Sequence, residues 1–531
     1  MGLPIRVLNP PPPPAAMTLP SLFEYQRELR PDATAVVDDG RAWTYDQLGE
    51  RGRAWAGALA AVGVRPGDVV AVFLPNGADW AAAALAAAWL GAVLAPVNVR
   101  FRVPEIASLL GSLRPRAVIT ASAFLTNPLL ERLHQAIGAV FSAERSGVPA
   151  ILLAADLDSR AARSAGAAAV SETDPLVVFW TSGSTGRPKG VLHGSSLIRN
   201  VWNWVSLMGY GSADRVLATR PFYYIAGACW NLFGVLATGG CVIAGKLFTP
   251  AETAAALVAE RVTVMSGGPA VYEALLDSPE FAGVQPGQLH VRRVIVGGAP
   301  LSRRLFDSIS ARFPAAPVVQ TYGMTELRGY MLSTVPGDAE DVRFGTVGRL
   351  LPGFETELRA ADGTRISAPD VPGELYVRGE ILQDYTLDGH AVPARGDDGW
   401  FATGDMLSCR GDGNWVFHAR FREIAKVRGE SVSLSSVDLA LAELPNVVRA
   451  VTVAFPVEHG DRLEAVVEVA QPSTAAEIMA AARDHMAPFR VPARIWIKSP
   501  ALPWPTLPSG KISRSMVAEQ FISTEPIGEA Q

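Results

Sequence analysis

Residues 181–190 read Thr-Ser-Gly-Ser-Thr-Gly-Arg-Pro-Lys-Gly, directly after the apolar run Leu176–Trp180. Thr181, Ser182, Ser184 and Thr185 bring hydroxyl donors. Gly183 and Gly186 let the backbone turn tightly and point successive N–H groups inward, and Lys189 adds a mobile positive charge. A polyphosphate requires this combination of donors, close backbone approach and charge. The stretch is not a Walker A loop, because Pro188 separates the glycine region from the lysine. Lysine is scarce: of 47 basic residues only Lys189, Lys246, Lys426, Lys498 and Lys511 are lysine. An arginine-rich chain keeps a lysine where a compact point charge is needed, or by chance; position within a motif separates the two readings.

Five more segments carry chemistry-bearing residues. Gly297-Gly298-Ala299-Pro300 follows the strand-like run Val294–Val296. Tyr322-Gly323-Met324-Thr325-Glu326 combines an aromatic face, a hydroxyl and a carboxylate. Trp400 to Asp405 ends in Thr403-Gly404-Asp405. Arg420 precedes Lys426-Val427-Arg428-Gly429-Glu430, and Pro508-Ser509-Gly510-Lys511 lies near the C-terminus. Taken singly, Tyr322 and Glu326 read as a core ring and a solvated carboxylate, Asp405 as turn chemistry, and Lys511 as an exposed loop residue. Taken in order across about residues 20–520, they resemble the adenylate-forming superfamily of acyl-CoA synthetases, peptide-synthetase adenylation domains and luciferases.

The resemblance implies a carboxylic acid activated by ATP as an acyl-adenylate, pyrophosphate leaving, and a thiol then displacing AMP. Joining two anions requires charge neutralisation and alignment more than proton transfer. On this reading Thr181, Ser182, Gly183, Ser184, Thr185, Gly186 and Lys189 hold the phosphates. Gly298, Ala299 and Pro300 face adenine across from Tyr322. Asp405 and Arg420 meet the ribose, and Thr325 donates to the α-phosphate. Glu326 helps bind Mg²⁺, a hard cation suited to carboxylate and phosphate oxygens. Lys511 bridges the attacking carboxylate and the phosphorus. Arg422 is the hinge about which a small C-terminal domain turns, presenting Lys426 and Gly429 for thiol transfer. This chain departs from the family pattern at Ala419, Arg422, Leu434 and Ser436, which weakens the thiol half of the inference.

The family's acyl pocket is supplied by the segment that here reads Pro221 to Asn231. Tyr223, Tyr224, Ala228 and Trp230 suggest an apolar or aromatic acid with room for a polar handle. Ala226 stands where amino-acid-activating relatives carry an aspartate, so an α-ammonium would be left unpaired. Arg328 meets a second anionic group or points to solvent. CoA is the expected acceptor, with the phosphopantetheine of a carrier protein in trans or a nitrogen nucleophile as alternatives. A non-catalytic nucleotide-binding regulator is the alternative of another class, and Lys511 argues against it.

These residues need an α/β scaffold. Short apolar runs (Ala35–Val37, Val69–Leu74, Val93–Val97) alternate with helical stretches. The alternation predicts a large, mostly parallel α/β N-terminal domain with a small β-rich subdomain over 343–420, then a small mobile α+β C-terminal domain. The expected boundaries are a disordered Pro-rich lead-in at 1–17, with Met17 a possible alternative start, an N-terminal domain at 18–420 and a lid domain at 421–531. A chain of 531 residues accommodates two to four domains at about 100–200 residues each. The net charge of −5 and the absence of a basic run exclude an electrostatic footprint for nucleic acid. The alanine-rich run 81–97, broken by Gly91 and Pro96, reads as a buried helix entering a strand rather than a membrane span. Three scattered cysteines without a leader-like start suggest a reducing, cytoplasmic setting; the expected state is a monomer or homodimer.

Overall fold

The structure is a computed structural model. It describes residues 3, 5–141, 147–158, 170–182, 188–246, 248–379, 396, 398–427, 430–457, 460–506 and 512–522. For Thr181, Ser182, Pro188, Lys189, Arg422, Lys426, Glu430 and Ser431 it describes the backbone course alone.

Two large sheets organise the first 350 residues. One has six strands in the order Ala150–Leu153, Ala117–Thr120, Val69–Phe73, Val93–Pro96, Pro175–Ser182 and Pro188–Gly194; the first five are parallel and the last antiparallel. The other has nine. Its parallel centre runs Val318–Met324, Arg293–Gly297, Val264–Gly267, Arg215–Leu217, Cys241–Ala244 and Thr34–Asp38. Antiparallel strands flank that centre, Gly329–Ser333 and Arg349–Leu350 on one side and Arg41–Thr44 on the other. The apolar runs read from sequence are these strands, buried on both faces as parallel sheets require.

Helix Ala78–Trp89 is buried at every residue but Asp79, near the expected state for a helix apolar all round. Its neighbour Tyr45–Ala61 opens on a capping box. Gln47 N–H donates to Thr44 Oγ1 and Thr44 N–H to Gln47 Oε1, both at 3.1 Å. Gly52 lets the two helices approach, because a Cβ there would sit 2.6 Å from the Trp89 ring.

A five-stranded antiparallel sheet (Arg365–Ile366, Glu355–Arg359, Gly373–Arg378, Phe401–Cys409, Trp415–Arg420) forms the β-rich part. It ends in a one-turn 3₁₀ segment, Phe421–Glu423. Beyond it lie a hairpin, Ile424–Val427 with Glu430–Ser433, and a three-stranded sheet, Val447–Val457, Gly460–Val469 and Arg494–Ile497, covered by helices Leu434–Ala442, Ala475–His485 and Arg514–Phe521. The apolar clusters of this region draw their buried residues from Ala425 onward. Among the described residues no helix is long and apolar enough to cross a membrane.

The lead-in read from sequence as disordered is instead laid against the large domain. Leu8 N–H donates to Leu350 O at 2.8 Å, Leu350 N–H donates to Arg6 O, and Trp202 Nε1 donates to Pro11 O at 3.0 Å. Leu8 and Met17 are buried. Prolines cannot donate to a ladder but can lie along an edge, and their fixed φ lowers the entropy lost on docking.

Candidate active site

The candidate residues gather where parallel strands end. Gly297–Pro300 leaves the carboxyl end of Arg293–Gly297, and Tyr322–Glu326 leaves the carboxyl end of its parallel neighbour Val318–Met324. Ligands of open α/β sheets bind at such strand ends. Gly298 has a left-handed φ of 90°, a conformation that favours glycine, and with Ala299 and Pro300 it is exposed. Gly297 is buried, and a Cβ there would meet Thr321 Oγ1 at 2.2 Å. Gly323 is tighter still, its would-be Cβ lying 1.7 Å from Gly329 O. These two glycines allow the turn and the strand to come together.

Tyr322 is buried. Its hydroxyl donates to Asp405 Oδ2 at 2.8 Å, and its ring lies 6.0 Å from Phe417. Asp405, only 3% exposed, pairs in register with Arg420 across adjacent strands, with Arg420 Nε 3.4 Å from Asp405 Oδ1. Gly404 has a φ of 71°, and Thr403 Oγ1 accepts the Asp405 N–H. The structure thus joins three residues that lie far apart in sequence. Burial, with the adjacent Asp405 carboxylate, pushes the Tyr322 phenol well above its ordinary range, so it remains a donor. Thr325 and Glu326 form a half-buried 3₁₀ turn (Thr325–Leu327) against the strand Pro175–Ser182.

The phosphate segment differs from its sequence reading as a strand running into a loop. Pro175–Ser182 and Pro188–Gly194 form an antiparallel hairpin with Thr181 opposite Lys189 and Ser182 opposite Pro188. Gly183, Ser184, Thr185 and Gly186 lie outside the described residues, as do Gly429 and Lys511. Arg422 lies in the turn Phe421–Glu423, and Lys426 is paired with Ser431 in the hairpin beyond it.

Of the expected pocket residues, Ala228 and Trp230 are fully buried, Tyr223 is nearly so, and Tyr224 is half-buried. Tyr223 and Tyr224 meet edge to face at 4.8 Å, and Asn98 Nδ2 donates to the Tyr224 hydroxyl at 3.3 Å. Trp230 sits in a π-helical turn, Cys229–Phe233, stacked on Tyr330 at 4.6 Å and 13°. Arg328 does not point to solvent. It is 2% exposed, its guanidinium donates to Ser196 Oγ, and its backbone has a φ of 57°. Beside it the buried His193 is pushed down to about 3 by desolvation and by the Arg328 charge, so it is neutral.

Three features were missed from sequence. Tyr330 backs Trp230. Arg220 donates to Gly297 O at 3.0 Å and to the Tyr330 hydroxyl at 3.4 Å. Arg514, three residues after Lys511, pairs with Asp438 at 2.7 Å and lies 3.6 Å from Glu423, next to Arg422. A charged residue at a strand end just before an aromatic run was the only sequence sign of Arg220. The turn Phe421–Glu423 and the segment after Lys511 are therefore tied to one body.

This architecture, with nucleotide-type residues at strand ends and a small domain beyond a single turn, is that of an adenylate-forming enzyme. The AMP-binding enzyme family profile matches residues 23–384, and the chain belongs to that family. It is 30% identical, over 95% of its length and 98% of the relative's, to the 3-[(3aS,4S,7aS)-7a-methyl-1,5-dioxo-octahydro-1H-inden-4-yl]propanoyl:CoA ligase of Rhodococcus jostii (strain RHA1). It is 31% identical to a feruloyl-CoA synthase of an Amycolatopsis species, over 93% of this chain and 97% of the relative. The anthranilate CoA ligase AuaEII, solved with anthranoyl-AMP, superposes with a TM-score of 0.84 over 95% of this chain and 97% of that one, at 21% identity. The chain thus has the fold and length of acid–CoA ligases.

Proposed function

We propose that the protein is an AMP-forming acid–thiol ligase that activates a hydrophobic or aromatic carboxylic acid with ATP and passes it to CoA. The observation that carries the reading is the Tyr322–Asp405–Arg420 constellation beside the exposed Gly298–Pro300 turn. A buried carboxylate held by a phenol and a guanidinium, on strands that lead to an open glycine turn, suits a ribose diol under a stacked base. In the first step a carboxylate oxygen of the acid attacks the α-phosphorus, the bond to the bridging oxygen breaks, and pyrophosphate leaves. In the second a thiolate sulfur attacks the acyl carbon, and AMP leaves with the bonding pair.

Thr325 donates to the α-phosphate, and Lys511 bridges it to the acid. Lys189 and the hydroxyls of 181–185 hold the outer phosphates. Glu326 offers one carboxylate. Among the described residues no group of three or more His, Cys, Asp or Glu could hold a metal alone. One carboxylate plus substrate phosphates fits Mg²⁺, which supplies charge neutralisation at the phosphates. Tyr223, Tyr224 and Trp230 favour an apolar acid, in keeping with relatives that act on feruloyl and indenyl-propanoyl groups. The small domain turns about Arg422 to present Lys426 and Gly429 for the thiol step, and the enzyme works in the cytoplasm as a monomer or homodimer.

The test is acid-dependent exchange of pyrophosphate into ATP without CoA, over fatty, aryl, dicarboxylic and amino acids, with Lys511→Ala as control. Exchange should occur with hydrophobic or aryl acids and vanish in the variant, while ATP binding stays within about tenfold, because the lost interaction belongs mainly to the transition state. Near-normal turnover in Lys511→Ala would refute the assignment. Adding CoA or a phosphopantetheinylated carrier protein in turn then identifies the acceptor.

A further inference from the structure

The segment that walls the acyl site begins with an arginine. Arg220 immediately precedes Pro221 and is half-buried. Its hydrogen-bond partners are neutral: Gly297 O at 3.0 Å and the Tyr330 hydroxyl at 3.4 Å. Among the described residues no carboxylate lies within ion-pair distance of it, whereas most arginines of this chain with comparable burial are paired with one. A guanidinium held by two neutral oxygens alone still has N–H donors that a ligand oxygen can satisfy.

The place of this cation is fixed from three sides. Asn76 Nδ2 donates to Arg220 O at 3.1 Å, and Asn76 Oδ1 accepts the Phe222 N–H at 2.7 Å. Gly227, one turn on, packs so closely that a Cβ there would lie 2.0 Å from Pro221 O and 2.8 Å from Arg220 O. Tyr330 is held by its stack on Trp230. That stack depends on Gly329, whose φ is 85° and whose would-be Cβ meets the Trp230 ring at 2.7 Å. Arg220 therefore stands between the glycine turn and the Trp230–Tyr330 pair, on a rigid mount. A fork of N–H donors in that position suits planar oxygen acceptors.

We propose that Arg220, positioned by Tyr330, recognises an oxygen acceptor on the acid other than the reacting carboxyl, so that the preferred substrates are dicarboxylic or keto acids with an apolar or aromatic body. This rests on the reading that residues 221–231 wall the acyl site. Arg220 is then a specificity-determining residue: it binds the substrate, and the reacting groups lie elsewhere.

The experiment compares matched acids in the pyrophosphate-exchange assay: decanoate, decanedioate and a keto acid of the same length, and phenylpropanoate with its para-carboxy and para-acetyl derivatives. Wild type is set against Arg220→Met, Arg220→Lys and Tyr330→Phe. In Arg220→Met the kcat/KM for the preferred oxygenated acid should fall by about 10- to 100-fold, the usual consequence of losing a hydrogen bond to a charged partner. Its unsubstituted parent should be unchanged or improved, and the KM for ATP unaltered. Arg220→Lys should recover part of the preference. The carboxylate and ketone arms show which acceptor is read. A uniform fall across all acids, or a raised KM for ATP, would make Arg220 a structural tether and overturn the proposal, as would unchanged selectivity. If wild type exchanges with the unsubstituted acids only, the handle proposal fails and the ligase reading stands. If it exchanges with none, both fail.

Discussion

Replacing Tyr322 by Phe removes one hydroxyl and keeps the ring. In the structure that hydroxyl donates to a carboxylate that is 3% exposed, at 2.8 Å. A hydrogen bond to a charged group is worth about 1.5–3 kcal/mol net. Asp405 keeps its ion pair with Arg420, but that guanidinium is half exposed and 3.4 Å away, so it compensates little. At about 1.4 kcal/mol per factor of ten, the loss corresponds to roughly 10- to 100-fold if it falls wholly on nucleotide binding. Part will appear instead as lower stability, because Asp405 is buried whether or not nucleotide is present. The assay is a double-mutant cycle of Tyr322→Phe and Asp405→Asn, read both as KM for ATP in pyrophosphate exchange and as urea midpoint. If the phenol acts through the carboxylate, the double variant should be little worse than Asp405→Asn, a coupling of about 1.5 kcal/mol or more. Effects that simply add would refute the idea that Tyr322 orients Asp405 and would leave it a stacking ring alone.

Other expectations follow from buried groups and close approaches. His193 has a folded pKa near 3, below its unfolded value of about 6.5, so it contributes stability above pH 6.5 that is lost as pH falls towards 3. His193→Phe should flatten the urea stability profile between pH 6 and pH 4 by up to about 1.4 kcal/mol per pH unit; an unchanged slope would place the charge on another group. Gly323→Ala puts a methyl group 1.7 Å from Gly329 O and should cost several-fold more activity than Gly337→Ala, whose Cβ meets nothing within 4 Å and whose backbone is not left-handed. Equal losses would mean that the close approach is not needed. Arg449 of the small domain pairs with Glu273 of the large one, and Arg304 donates to Val447 O at 3.0 Å. Glu273→Arg should change the ratio of thioester formation to pyrophosphate exchange, and the swap with Arg449→Glu should restore it. A ratio unmoved in both would mean that this pair does not hold one domain orientation.

The parts legible in sequence were those whose physics is local. The capping box at Thr44–Gln47, the alanine-rich helix Ala78–Trp89 and the buried strands state their structure in their own residues. The motifs at 297–300, 322–326 and 400–405 were legible because each sets a glycine next to a chemical side chain. What was not legible depends on partners distant in the chain. Nothing near Tyr322 indicates that its hydroxyl ends on Asp405, 83 residues on. The stack of Trp230 on Tyr330 and the seat of Arg220 between Gly297 and Tyr330 are likewise tertiary. The hairpin Pro175–Gly194 was hidden because the run after Trp180 has the composition of a loop while its flanks pair as strands. Arg328 gave no sign of burial because a lone arginine ordinarily faces water.

The proline-rich arm has a consequence for how the protein survives outside its folded, solitary state. Arg349–Leu350 is the outermost strand of the nine-stranded sheet, and the arm occupies its free backbone groups through Leu8 and Arg6 while Pro11 accepts the Trp202 indole. A bare sheet edge is a template for a strand from another molecule. The arm serves as a built-in gatekeeper: it caps the edge with a segment whose prolines cannot pass the ladder on. A chain shortened to begin at Met17 would keep every motif residue yet expose that edge and the Trp202 ring. Removing the arm should therefore raise the tendency to self-associate through that edge.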